Sequence, residues 1–246
     1  MIRKFTLLLI FGFLGLILAE QGCFVHVPRD QLRNVIKSPL KYLPKDQLPE
    51  QWLWDNINGT NLLTLLRNQH FPQYCGSCWA FATSSALSDR IKIMRKAQWP
   101  DIELAPQILL SCSHGSNKGC GGGNHHLAYE YIHNYSISHE SCSNYQAEGW
   151  NTGLQCSDLL KCQGCDSTRN CYVPNSYPIY TVDEYGSVDG EEAMMNEIYQ
   201  RGPIACSLDD TPLLNYTGGI VNYTGTSKGT NHVVSIVGYG VENDVP

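Results

Sequence analysis

The sequence predicts an α+β protein with two unlike lobes around a cleft. Three observations lead there. Segments of helical periodicity precede Pro203 and strand-like runs follow it. Between the early helices and the late strands lies a cysteine-dense, glycine-rich middle, residues 112–171. The 246 residues suffice for one large domain or two small lobes sharing a cleft.

The elements follow in chain order. MIRKFTLLLIFGFLGLILAEQG has a basic start (Arg3, Lys4) and an apolar run to about Ala19, which reads as a signal peptide over 1–19. That run is short for an anchor and no second span follows, so no membrane association is expected after its removal. Residues 20–47 hold five Lys/Arg, three Asp/Glu and one cysteine, Cys23, whereas from Leu48 onward ten Lys/Arg face twenty Asp/Glu. A basic piece ahead of an acidic body predicts a short propeptide lying on a domain over 48–246. A disordered tail is the plainer alternative.

Cys78 onward reads as a helix, with Ser77 as its cap and Trp79, Ala82, Ala86 and Ile93 at helical spacing. A second helix fits Pro106 to Cys112, proline being acceptable in a first turn. A third fits Asn124 to His133, with His125 and His126 on its surface, and a fourth fits Glu191 to Gln200, stopped by Arg201-Gly202-Pro203. Strands are predicted over Ile204–Leu208 and Val233–Val237.

A net charge of −6 leaves no basic footprint for nucleic acid. Eleven cysteines behind a signal peptide predict disulfides, and the odd count leaves at least one thiol without a partner in the chain. Four sequons, beginning at Asn58, Asn134, Asn215 and Asn222, fit the secretory route.

Chemistry concentrates in RNQHFPQYCGSCWAF, residues 67–81. A thiol is a strong nucleophile only as thiolate, which a helix N-terminus and a neighbouring imidazole both favour. Cys78 stands at such a position behind the small Gly76 and Ser77. Three other readings compete: a redox Cys75-x-x-Cys78, a zinc clasp with Cys162 and Cys165, and purely structural cysteines. The clasp fails on spacing, with 83 residues between the pairs against about 15–20 in a zinc ribbon. The redox motif lacks a βαβ context. Structural pairing stays open on the residues alone.

NQ…CGSCWAF resembles the signature around the nucleophile of the papain-like cysteine proteases. ELAPQILLSC (103–112), GCGGGN (119–124) and TNHVVSIVGYG (230–240) resemble further family motifs in the right order, with Ala105 and Ser111 replacing the usual Ser and Asp. The resemblance spans about residues 48–240. It implies a papain-like two-lobe fold, a helical left lobe and a β-barrel-like right lobe with the active-site cleft between them. Cys78 is then the nucleophile, His232 its base and later acid, and Gln69 a side-chain donor to the oxyanion hole beside the Cys78 N–H. Gly122 and Gly123 match the glycines whose backbone pairs with an extended substrate. The resemblance also implies bridges Cys75–Cys120, Cys112–Cys156, Cys142–Cys162 and Cys165–Cys171, leaving Cys206 alone. Protein and peptide substrates, no metal or other cofactor, a monomer, and a lysosomal or secreted location complete the expectation.

The usual spacing from this Gln to the nucleophile is six; here Gln69 to Cys78 is nine, so His70-Phe71-Pro72 is inserted. Gln73 is a competing oxyanion candidate. The insertion shortens the cleft on the leaving-group side and brings an imidazole to where a substrate's C-terminal carboxylate would fall, with Pro72 stiffening the loop. A similar loop, a short pro-segment, HVVS, NYTGGI (215–220) and a cysteine-rich run like 142–171 occur in a lysosomal carboxypeptidase branch of the family. Carboxypeptidase activity is therefore implied. A propeptide of 28 residues is too short for a folded inhibitory domain, and Cys23 offers a disulfide latch on Cys78 instead. The family's Asn-Ser-Trp-Gly motif, whose Asn orients the histidine, does not occur before Pro246, so an incomplete right lobe is expected. A non-catalytic pseudo-protease with a peptide groove and a thiol–disulfide oxidoreductase using Cys75 and Cys78 remain as alternatives.

Overall fold

The computed structural model describes residues 22–221, 226, 229–242 and 245; the expected signal peptide and the Asn222 sequon lie outside the described residues. Helix α1, Cys78–Met94, runs through the centre of the larger lobe, and nearly all of its first twelve residues are buried. A helix covered on most sides must satisfy its polar groups internally. Ser88 Oγ donates to Ser84 O (2.8 Å) and accepts from Leu104 N (3.0 Å), and Asp89 accepts from the amide and hydroxyl of Thr64. Around α1 pack α2, Pro106–Cys112, with its proline in the first turn, and α3, His125–Tyr135. A short α4, Asp158–Lys161, lies in the cysteine-rich region, which the Cys112–Cys156, Cys142–Cys162 and Cys165–Cys171 bridges staple.

The strands are short. Antiparallel pairs join β1 (Trp52–Leu53) to β8 (Gly238–Tyr239), β2 (Ile137–Ser138) to β5 (Ile179–Tyr180), and β3 (Gly164–Cys165) to β4 (Cys171–Tyr172). The longest pair is β6 (Ile204–Leu208) with β7 (His232–Ile236), in a register that sets His232 opposite Leu208. Helix α5, Glu191–Arg201, builds a second core in which Trp54, Ile198 and Ile204 are buried, and the Trp54 indole donates to Ile198 O (2.8 Å). Two separate apolar clusters thus make two unlike lobes. The fold is α+β, but no closed barrel forms among the described residues; every sheet there has two strands.

Local details differ from the sequence-based expectations. Ser77 occupies the N-cap position of α1, yet its hydroxyl bonds Tyr145 (2.7 Å) and caps nothing. Asn124 lies just outside α3, where its side chain caps the helix by accepting from the amides of His126 (2.9 Å) and Leu127 (3.4 Å). His125 and His126 are not solvent-facing. His126 is buried, with Nε2 2.8 Å from Arg33 O, and His125 packs against Phe24. Residues 24–33 cover that face of the helix, something its periodicity could not reveal.

Asn124 also donates through Nδ2 to Val25 O (3.1 Å). Asn124→Ala should therefore lower stability by about 0.5–2 kcal/mol, the usual worth of an N-cap. Urea denaturation would measure it, and faster amide exchange at Val25 and Arg33 should accompany the loss.

Candidate active site

Cys78 is the first residue of α1 and is 1% exposed. Its sulfur is bonded to Cys23 in the N-terminal segment, with Cα atoms 5.9 Å apart. Cys75, three residues earlier, is tied to Cys120, so no Cys75–Cys78 bridge exists. His232 opens β7 and its Nδ1 lies 3.2 Å from Cys23 Sγ. The two cysteine sulfurs and a His232 ring nitrogen all fall within 4.8 Å of one another. Burial lowers the pKa of His232; Asp210 opposes that shift and His70 adds to it. With the Cys78 sulfur held in a disulfide there is no thiolate to pair with, and a neutral imidazole is the favoured form.

Gln69 donates from its side-chain amide to Cys75 O (3.3 Å), that amide also lies 3.4 Å from His70 Nε2, and the Gln69 backbone carbonyl accepts from the Tyr145 hydroxyl (2.5 Å). Gln73, the competing candidate, is engaged elsewhere, 3.3 Å from both Ala147 O and Glu148 Oε1. His70 stacks flat on Tyr74, with ring centroids 4.6 Å apart and 8° between planes, and the Cys75 N–H approaches its Nδ1 (3.4 Å). The Phe71–Pro72 peptide bond in this loop is cis.

Gly122 and Gly123 meet the N-terminal segment. Gly122 has φ +104°, and a Cβ there would lie 3.1 Å from Cys23 O. Gly123 N donates to Cys23 O (3.0 Å), and Val25 N donates to Gly123 O (2.8 Å). On the opposite wall Phe24 N donates to Asn231 O (3.1 Å). An extended chain is thus gripped from both sides at the start of α1.

Sequence reasoning missed Asn231, Asp210 and Tyr145. Asn231 and Asp210 exchange hydrogen bonds (2.9 and 2.6 Å) directly before His232. Tyr145 links Gln69 to Ser77, and burial pushes its pKa up to about 12. No local pattern marks these residues, because each acts through a partner distant in sequence.

Beyond the cleft the segment runs as a strap over the body. Val35 and Tyr185 exchange backbone hydrogen bonds (2.8 and 2.9 Å). Glu184 accepts from the amides of Lys37 and Ser38, both at 2.8 Å, and buried Asn196 pairs with both backbone groups of Leu43. Arg29–Asp189, Lys37–Asp183 and Lys45–Glu191 are exposed ion pairs, each worth little in water.

Residues 48–246 match the papain family of cysteine proteases, and the chain belongs to that family. It is 43% identical over 200 residues to the cathepsin Z of Onchocerca volvulus, covering 81% of this chain and 63% of that one. It is 32% identical over 204 residues to the viral cathepsin of Spodoptera litura multicapsid nucleopolyhedrovirus, covering 82% and 52%. Among solved structures, the digestive procathepsin L 3 of Tenebrio molitor larval midgut superposes with a TM-score of 0.60 at 28% identity, covering 83% of this chain and 60% of that one. The chain therefore spans about half to two-thirds of the length of these relatives.

The strap should loosen in acid. The Ser38 and Lys37 amides hold the Glu184 carboxyl below its usual range. The docked state thus binds fewer protons than the released one, and docking is fully supported above the free carboxylate pKa of about 4.3. That support fades as pH falls through the free value toward the lower docked one. Limited proteolysis of residues 34–47 against pH should show this onset, and Glu184→Gln should flatten it. An unchanged profile in the variant would place the acid response elsewhere.

Proposed function

We propose that the chain is the latent form of a cysteine-type carboxypeptidase, with residues 20–47 as its propeptide and 48–246 as its peptidase domain. The observation that carries this reading is the meeting of Cys78, at the start of a buried helix, with the His232 imidazole, beside an inserted loop whose His70 bonds Cys75 three residues before Cys78. The name of the Onchocerca volvulus relative, cathepsin Z, supports the same assignment. Exposed sequons at Asn58, Asn134 and Asn215 suit passage through the secretory route to lysosomes or the exterior.

The chemistry starts with a thiol reductant. Two equivalents convert the Cys23–Cys78 disulfide to two thiols and leave as their own disulfide. Cys78 then passes its proton to His232, and the helix N-terminus favours the resulting thiolate. The thiolate attacks the last peptide carbonyl, and the oxyanion is received by the Cys78 N–H and the Gln69 amide. The imidazolium protonates the departing residue. Neutral His232 next takes a proton from water, which releases the acyl group. Gly122 and Gly123 hold the substrate backbone where the strap now lies.

His70 supplies the exopeptidase limit. The Cys75 N–H approaches Nδ1 and the Gln69 amide lies 3.4 Å from Nε2, so the carboxylate of a single residue beyond the cut would take the place of Gln69 at Nε2. A charge-assisted hydrogen bond there is worth about 1.5–3 kcal/mol. In the activated enzyme His70→Ala should cost about ten- to a hundred-fold in kcat/KM on substrates with a free C-terminus and much less on amidated ones. Equal losses on both would make His70 structural only.

Cys78→Ala should abolish cleavage, and a thiol-directed epoxide should label Cys78 only after reduction. A reduced chain that takes no label would instead favour a peptide-binding groove without catalysis. The Cys75–Cys120 bridge weighs against an oxidoreductase based on Cys75 and Cys78. We take the protein to act as a monomer on proteins and peptides, with no cofactor for the peptide chemistry.

A further inference from the structure

Cys23, Cys78 and His232 present two sulfurs and an imidazole nitrogen within 4.8 Å of one another, with the cysteines buried and the histidine half-buried. Two thiolates and one imidazole are a donor set that zinc accepts, with a fourth position left for water. Sulfurs joined to each other cannot serve as ligands. We propose that once a thiol reductant has opened the Cys23–Cys78 bond, and while the strap is still docked, the chain binds one Zn2+ through Cys23 Sγ, Cys78 Sγ and His232 Nδ1. The ion then keeps the thiol unavailable without the covalent bond. This inference rests on the disulfide-latch reading above.

The strap does not need the disulfide to stay near Cys78. Residues 23–25 make three backbone hydrogen bonds to Gly123 and Asn231, and the Asn124 side chain holds Val25 O (3.1 Å). Cys23 therefore remains positioned over the start of α1 after reduction. A Cα separation of 5.9 Å suits two cysteines sharing a metal. Zn–S bonds of about 2.3 Å in a tetrahedral site require the sulfurs to stand about 3.8 Å apart, within reach of side-chain rotation. The Cys23 Sγ to His232 Nδ1 distance, already 3.2 Å, needs only a slight opening to admit Zn–N and Zn–S bonds of about 2.1 and 2.3 Å.

The balance is simple. The disulfide and two molecules of reductant thiol give two protein thiols and one reductant disulfide. Binding of Zn2+ then displaces the two thiol protons. The resulting unit of one dication, two thiolates and a neutral imidazole carries no net charge, which suits a largely buried site.

The test uses the full chain carrying Cys206→Ser, which removes the unbridged thiol. After mild reduction it is titrated with Cd2+, and thiolate-to-metal charge transfer is read in the ultraviolet. The expected result is one tight equivalent, displaced by Zn2+, together with loss of epoxide labelling at Cys78 when Zn2+ is present. Both effects should vanish in Cys23→Ser, which replaces one proposed ligand with a hydroxyl. That variant also controls for thiols released from other bridges. Absence of the absorbance, or the same binding and protection in Cys23→Ser, would overturn the proposal. Peptide mapping of the unreduced chain separates the two ideas. Without a Cys23–Cys78 linked peptide the latch and the metal site fail together, whereas a linked chain that binds no Cd2+ on reduction sinks the metal site alone.

Discussion

Everything at the cleft depends on how closely the glycine loop lies against the first turn of α1. Trp79 is fully buried, and a Cβ on Gly123 would stand 2.5 Å from two of its ring carbons and 2.8 Å from Asn117 Oδ1. Only a residue without a side chain fits there. The close approach brings the peptide groups of Gly123 alongside Cys78, and the Cys75–Cys120 bridge with Gly76 N to Cys120 O (2.9 Å) fixes the loop to the chain leading into the helix. The thiol and the edge that grips an extended chain are consequently built as one unit. Loosening the packing under Trp79 would disturb both.

Much of this was legible in the sequence, and the reasons are local. Helices α2 and α5 begin where expected because a proline and a pair of glutamates mark their first turns. The β6–β7 pair is legible from two short apolar runs, with β7 displaced by one residue so that His232 begins it. Cysteine partners are another matter. Spacing alone leaves many pairings possible; the family resemblance pointed to four bridges, and the lone cysteine of the short N-terminal segment pointed to Cys23–Cys78. Ser77 and the two adjacent histidines of α3 show the opposite limit. What a side chain does at a helix end or on a helix face was decided by Tyr145, Phe24 and Arg33, all remote in the chain.

Charge asymmetry pointed to a basic segment lying on an acidic body, but the bonds that hold it are mostly of another kind. The ion pairs at Asp189, Asp183 and Glu191 are exposed and open to screening by salt. More specific contacts come from the backbone of the strap, taken up by Glu184, Asn196 and Tyr185. These depend on main-chain geometry more than on side-chain identity. A substituted strap can therefore keep its course provided its backbone keeps its path and Cys23 its place.

The strap belongs to the same chain as the cleft it fills, and this makes it a tethered ligand. Its local concentration is set by the length and path of the connection, on the millimolar scale for a short flexible tether, and diluting the protein does not lower it. Occupancy of the Gly123 edge is thus independent of how much protein is present. A diffusible peptide must compete with that fixed local concentration until both the backbone connection and the Cys23–Cys78 disulfide are broken. Once the Cys23–Cys78 disulfide is reduced and the chain is cut near Leu48, the same contacts become bimolecular, and dilution alone then favours an empty cleft.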